Sequence, residues 1–96
     1  MDEKCVKALV FYSVDAASPY ALAQHPETDS YEKISSARLT QLAIGDEDQI
    51  KMWMYINAYS GKCGAKPVPA TAISDCITVS DVYDAVATAT NSKANQ

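Results

Sequence analysis

The chain has few of the residues from which catalytic sites are built. It contains one histidine, His25, and three glycines among 96 residues. No Ser-His-Asp set, glycine-rich phosphate loop or paired buried acid and base can be assembled from so few. We therefore expect no catalytic residues, and an enzyme is the function class that the composition favours least.

Basic charge and long apolar runs are also scarce. Eight Lys and Arg stand against twelve Asp and Glu, which gives a net charge of −4 and a pI near 4.7. Nucleic-acid binding needs clustered Lys and Arg, so we expect no nucleic-acid partner. No run of about 18 apolar residues exists, and the opening Met-Asp-Glu-Lys lacks the order of a signal peptide. These features predict a cytoplasmic protein with no membrane segment.

Cysteine is present, but not in a pattern that indicates a structural role. Cys5, Cys63 and Cys76 are odd in number and form no Cys-x-x-Cys pair. His25 has no nearby partner with which it could hold a metal. We therefore expect neither a metal site nor a disulfide scaffold.

The chain does have helical periodicity, and its length suits one small domain over residues 1–90 with a disordered tail at 91–96. Residues 2–17 place Val6, Leu9, Val10 and Val14 on one face, and Ser18-Pro19 should end that helix. Residues 19–28 indicate a loop, and a short helix is expected before Gly45.

The last helix has the clearest local signal. Thr78-Val79-Ser80-Asp81 has the form of a capping box, with Ile77 placed to pack on Val82 as a hydrophobic staple. The helix before it, residues 46–60, carries apolar side chains on more than one face, so it must be buried on two sides or offered to a partner. We expect its inward residues to be Ile50, Trp53, Met54 and Asn57, and Asp46 with Gln49 to form its capping box.

Three short motifs occur in the order that acyl carrier proteins use. Asp48-Gln49-Ile50 lies near the start of an apolar helix, Val68-Pro69 follows that helix, and a Thr78-Val79 pair comes next, with Val79 ten residues after Pro69. The region from about Leu39 to Ala87, roughly half the chain, resembles the acyl carrier protein family in this order. In that family an Asp-Ser-Leu triplet begins the second helix, and its serine carries phosphopantetheine.

The resemblance implies an all-α fold, an acyl-carrier-protein-like four-helix bundle, here with room for an extra short helix in the first loop. It also implies that the attachment site is degenerate, because Gln49 replaces the serine. If Ile44-Gly45 is instead matched to the family's Leu-Gly, the position falls on Asp48, and neither residue can attack as an activated alcohol does. We therefore expect no cofactor.

The resemblance further implies that other proteins bind this one through its second helix, in a fatty acid or polyketide type of pathway. A Trp, Met and Tyr surface is typical of interface cores, so another protein or a second copy of the chain is the expected partner. The predicted partner-binding residues are Asp46, Glu47, Lys51, Met52, Trp53 and Tyr55.

Two alternatives stay open. One is a functional acyl carrier protein, modified with phosphopantetheine at another serine, Ser60 or Ser80. The other is an unrelated small helical inhibitor or assembly factor that has only the Pro and Thr-Val motifs in common with acyl carrier proteins.

Overall fold

The computed structural model describes residues 3–64 and 66–94, and it confirms the all-α prediction. Three helices of three or more turns form the body, and two short helices lie in the connections between them. Their bounds are α1 Glu3–Ala17, α2 Tyr31–Ile34, α3 Asp46–Tyr59, α4 Ala70–Ser74 and α5 Val79–Ala94. Single 3-10 turns occupy Leu22–Gln24, Leu39–Leu42 and Ser60–Cys63. Residues 95–96 of the predicted disordered tail lie outside the described residues.

Helix α1 forms as its periodicity predicts. Val6, Leu9, Val10 and Val14 are all buried, and α1 packs against both α3 and α5. The helix ends at Ala17, where the Ser18 hydroxyl donates to the carbonyl of Leu42 at 2.8 Å. This bond ties the end of α1 to the turn that precedes α3.

The first loop, residues 18–45, is more ordered than a simple connector. It contains α2 and two of the 3-10 turns, and it is held to the start of α5 by a single antiparallel bridge between Arg38 and Thr78. The Leu39 amide donates to the carbonyl of Ile77 at 2.9 Å, and the Val79 amide donates to that of Ala37 at 3.1 Å. Within residues 3–64 and 66–94 no β-strand accompanies this bridge.

The capping box of α5 is confirmed. The Asp81 carboxylate accepts the amide of Thr78 at 3.0 Å, and the Thr78 hydroxyl accepts the amide of Asp81 at 3.2 Å. The hydrophobic staple is wrong, because Ile77 remains 63% exposed. Asp81 also accepts the Ile77 amide at 3.0 Å, which fixes Ile77 by its backbone and leaves its side chain outside. Val79, Val82 and Val86 are fully buried, as their spacing predicts.

A disulfide joins Cys5 to Cys63, which corrects the expectation of no disulfide. The two cysteines lie 58 residues apart, with Cα atoms 5.5 Å from each other, so sequence spacing carries no trace of the pairing. They meet because α1 and α3 run antiparallel, which brings the start of α1 beside the turn that follows α3. Cys76 is the remaining thiol, and it is buried.

No helix in the described part of the chain is both long and apolar enough to cross a membrane.

Candidate functional site

The start of α3 is where the degenerate attachment site was predicted, and its capping differs from the prediction. Gly45 is the N-cap residue: its carbonyl accepts the amide of Gln49 at 2.9 Å, and the Asp48 carboxylate accepts the Gly45 amide at 3.1 Å. The predicted box of Asp46 and Gln49 is therefore wrong by one residue. Asp48 takes the role because it stands three positions after the N-cap, where a carboxylate reaches the free amide.

Gln49 lies one turn inside α3 and points into the molecule. Its side chain is only 9% exposed, and its Nε2 donates to the carbonyl of Cys76 at 3.2 Å. A buried amide with its donor engaged joins α3 to the segment that precedes α5. This residue is therefore a structural contact between two elements and does not face solvent as an attachment residue would.

Asp48, the residue in the second register, is half-buried and caps the helix. Its other carboxylate oxygen lies 3.9 Å from the Lys51 ammonium. Both residues predicted to lie at the attachment position are thus engaged in holding the start of α3, and neither has a hydroxyl.

The buried face of α3 is rotated from the one expected. Gln49, Met52 and Ile56 point inward, whereas Ile50 and Met54 are 58% and 60% exposed. Met52 is fully buried, which removes it from the predicted partner surface. Gln49 accounts for the wrong helix phase. Because it is a polar residue at a core-facing position, the sequence pattern assigned the start of the buried face to Ile50, one residue later.

Trp53 and Asn57, both expected to face inward, lie at the edge of the core and hold the connector to α4. Trp53 Nε1 donates to the Val68 carbonyl at 2.6 Å, and Asn57 Nδ2 donates to the same oxygen at 3.0 Å. Asn57 Oδ1 accepts the Val68 amide at 2.8 Å. These bonds fix Val68-Pro69 in an extended conformation beside α3, and Val68 itself is buried.

Several of the predicted partner-binding residues do share an exposed surface. We call it the α3–α4 face, formed by Asp46, Glu47, Ile50, Trp53 and Met54. A shallow groove of about 140 Å³ runs between α3 and α4 beside Ile50 and Trp53, with Ala70 and Thr71 on its far wall. Lys51 is exposed on the same helix. The face combines an acidic first turn with two unburied apolar side chains.

Tyr55 lies elsewhere, on the side of α3 that meets α1. There it joins a second surface, which we call the tyrosine groove, about 320 Å³ in volume and lined mainly by Leu9, Tyr12, Tyr55, Tyr59, Lys62 and the Cys5–Cys63 disulfide. Tyr12 was missed because it is exposed on a helix whose other face carries the periodic signal. Only the antiparallel pairing of α1 with α3 brings these rings together.

The serines named as alternative attachment sites differ in exposure. Ser60 is 2% exposed, so it cannot present a long prosthetic arm. Ser80 lies in the first turn of α5, is half-buried, and shares a 3.0 Å hydrogen bond with the Thr78 hydroxyl.

Cys76 lies on the opposite side of α4 from the α3–α4 groove. Its thiol donates to the carbonyl of Ala72 at 3.2 Å, and burial, followed by the nearby Asp81, Asp75 and Asp84 carboxylates, raises the pKa of the Cys76 thiol to about 11. It borders an open, mainly apolar groove of about 540 Å³ between the 66–69 connector and α5. A thiol with so high a pKa is a poor nucleophile at neutral pH.

Over residues 3–64 and 66–94, no group of three or more His, Cys, Asp or Glu side chains is placed to hold a metal ion. The chain matches no protein-family model, no curated protein and no solved structure.

Proposed function

We propose that the protein is an acyl-carrier-like helical domain that lacks the phosphopantetheine attachment site and acts as a protein–protein interaction or regulatory module. The observation that carries the proposal is Gln49, whose buried amide is bonded to the Cys76 carbonyl where the family has an attachment serine. Without an attached arm, what such a domain can still offer to a pathway is its surface.

The order of elements supports the carrier-like part of the proposal. A long first helix is followed by a long loop, a second long helix, a short helix and a closing helix, which is the arrangement that the motif order implies. Pro69 immediately precedes α4 and Thr78 caps α5, so the family-like motifs stand at the element boundaries. The Cys5–Cys63 disulfide and the turns of the first loop are additions to that plan.

The α3–α4 face supports the interaction part. Ile50 and Met54 lie one helical turn apart and stay more than half exposed in a small domain. Asp46 and Glu47 stand at the helix start beside them. A partner with an apolar centre and a basic rim would fit this face, and in the alternative a second copy of the chain covers it through Ile50 and Met54.

The proposal includes no enzymatic activity and no cofactor. Burial of Ser60 leaves Ser80 as the candidate for the alternative in which the protein is a functional carrier. The other alternative, an unrelated helical inhibitor or assembly factor, would use the same α3–α4 face without the carrier ancestry.

Intact mass analysis tests the carrier question. Wild-type protein incubated with coenzyme A and a broad-specificity phosphopantetheinyl transferase should keep its encoded mass. A Gln49→Ser variant should also stay unmodified, since residue 49 is buried one turn inside α3. An ordinary carrier protein in the same tube is the positive control. A phosphopantetheine adduct on the wild type, mapped to Ser80 or another serine, would return the protein to the functional carriers.

Site-specific photo-crosslinking tests the interaction surface. A photoreactive amino acid at position 50 should join the protein to one discrete partner in the source cells, because Ile50 is exposed at the centre of the α3–α4 face. The matched control places the same group at Thr40, which is also exposed but lies outside that face. Equal labelling from both positions would contradict the assignment, and an adduct of twice the protein's mass would identify a second copy as the partner.

The cytoplasmic location stays a prediction, and the disulfide bears on it. Disulfides persist mainly in oxidising compartments. Alkylation of the protein directly in its source cells would show whether Cys5 and Cys63 are paired there, and a fully oxidised pair would argue against the cytoplasm.

A further inference from the structure

The tyrosine groove lies between two antiparallel helices and is open along its length. At one end is the Cys5–Cys63 disulfide, and at the other Tyr12 of α1 lies beside Tyr55 of α3. Tyr12 comes seven positions after Cys5 in α1, which corresponds to about 10 Å of helix. An open groove of this length suits an extended segment better than a compact ligand that needs enclosure.

The walls of the groove are aromatic. The Tyr55 and Tyr59 rings pack with centroids 4.8 Å apart, and Tyr12 is held by an edge contact with Phe11 at 5.4 Å. Tyr12 is 53% exposed and Tyr59 is 42% exposed, so both present ring surface to solvent. Their hydroxyls and that of Tyr55 make no hydrogen bond to other described residues, which leaves all three able to donate to a ligand.

The two ends of the groove carry opposite charge. The Lys62 ammonium lies 5.1 Å from the centre of the Tyr59 ring, near the disulfide end. Asp15 lies about one helical turn beyond Tyr12, just outside the lining at the other end, and is near enough to influence the Tyr55 hydroxyl. One of its carboxylate oxygens accepts the Ala23 amide at 3.4 Å. Burial, followed by the neighbouring Tyr59, Tyr12 and Asp15, raises the pKa of the Tyr55 hydroxyl above its usual value.

We propose that the tyrosine groove binds a proline-rich segment of another protein in the polyproline II conformation, with a basic residue of that segment beside Asp15. A polyproline II chain has no internal hydrogen bonds, so its carbonyls are free to accept from tyrosine hydroxyls. Its proline rings pack on aromatic walls, and its low conformational entropy favours binding in open grooves. At about 3.1 Å per residue, the 10 Å groove accommodates three or four residues.

This inference is independent of the α3–α4 face. Tyr55 and Tyr59 lie on the α1 side of α3, whereas Ile50 and Met54 lie on its other exposed side. Failure of one surface to bind would therefore leave the other unaffected.

The test is a titration of ¹⁵N-labelled protein, with its disulfide intact, using the blocked peptide acetyl-Pro-Pro-Leu-Pro-Pro-Arg-amide. Amide signals of Tyr12, Tyr55 and Tyr59 should shift and saturate, while those of the α3–α4 face should not. Tyr59→Ala should weaken binding by at least about fivefold, as expected for an aromatic anchor. Tyr20→Ala is the matched control, because Tyr20 is 52% exposed and lies outside the groove, and it should leave binding unchanged.

The ion pair between Asp15 and the peptide's arginine is tested by neutralising each of the two groups in turn. Replacing the peptide's arginine by glutamine should weaken binding to the wild type about two- to fivefold, the range of an exposed ion pair. The same exchange should have no effect on Asp15→Asn protein. If Tyr59→Ala fails to fold, Tyr12→Ser provides the same comparison from the other helix.

Three outcomes would overturn the inference. They are shifts that do not saturate, equal binding of a Gly-Ser peptide of the same length, and unchanged affinity in Tyr59→Ala or Tyr12→Ser. Saturable shifts with cellohexaose but not with the peptide would also overturn it and would assign the groove to a carbohydrate.

Discussion

At the scale of single residues, Cys76 has a side chain of a reactive type, a free thiol, that solvent hardly reaches. Cys76 is only 8% exposed, and the pKa of its thiol is raised to about 11 from a usual 9.0, first by burial and then by three carboxylates. At pH 8 only about one thiol in a thousand is then ionised, since ionisation falls tenfold for each pH unit below the pKa. The residue is therefore built as a core side chain.

Thiol reactivity should report that state. In the folded protein with its disulfide intact, Ellman's reagent should react slowly with Cys76 at pH 8, and the rate should rise about tenfold per pH unit until near pH 11. The urea-unfolded, unreduced protein is the control, and its rate should level off near pH 9. A native rate that levels off near pH 8 or 9 would show that the thiol is not held as described.

The same shift makes stability depend on alkaline pH. Because the folded pKa lies above the unfolded one, the protonated thiol contributes stability that is fully present below about pH 9. That contribution is lost as the pH rises through the folded pKa near 11. The loss should be smaller in Cys76→Ala than in the wild type when urea unfolding is compared at pH 8 and pH 10.5.

Gln49 shows what a sequence can and cannot say about a single position. The absence of a hydroxyl at residues 48 and 49 can be read directly from the sequence, and it underlies the proposal that the attachment site is degenerate. The direction in which the Gln49 side chain points cannot be read from the sequence, because it depends on a hydrogen bond to the Cys76 carbonyl, 27 residues further along the chain. The local sequence pattern predicted that Gln49 belongs to a capping box. In the structure its hydrogen bond to the Cys76 carbonyl holds it in the core instead.

At the scale of elements, the helices with one dominant signal were predictable and α3 was not. The apolar face of α1 and the capping box of α5 follow from residues within a turn or two of each other, and both are present. Helix α3 has apolar residues all round, so its phase is set by what packs on it. Contacts with α1 and α4 choose Met52 and Ile56 for the core and leave Ile50 and Met54 outside.

The link between α1 and the turn after α3 should stabilise the fold measurably. Closing 58 residues removes conformational entropy from the unfolded chain worth up to about 4 kcal/mol in the loop-entropy description. A Cys5→Ala, Cys63→Ala double variant should therefore melt roughly 10 °C or more below the oxidised wild type, measured by circular dichroism.

A reductant provides the matched control for that comparison. It should lower the melting temperature of the wild type towards that of the double variant and leave the double variant unchanged. Equal melting of the oxidised wild type and the double variant would contradict the stabilising role of the bond.

At the scale of the whole molecule, two long-range connections overlap along the chain. The disulfide spans residues 5 to 63, and the Arg38–Thr78 bridge, with the hydrogen bonds beside it, spans residues 35 to 80. Neither connection could be predicted, because each joins residues whose neighbours in the sequence carry no sign of the other. Helix formation is therefore determined by residues close in the sequence. The arrangement of the helices is determined by contacts between residues that are distant in the sequence.

The disulfide also changes the topology of the covalent chain. Between Cys5 and Cys63 the backbone and the two sulfur atoms form a closed ring, and the stretch from Pro19 to Glu27, exposed except at Leu22, lies on that ring. A protease that cuts there opens the ring but releases no fragment. The nicked molecule keeps the original mass plus one water, and it separates into two pieces only when a reductant is added. Non-reducing electrophoresis would consequently count cut and uncut molecules as the same species.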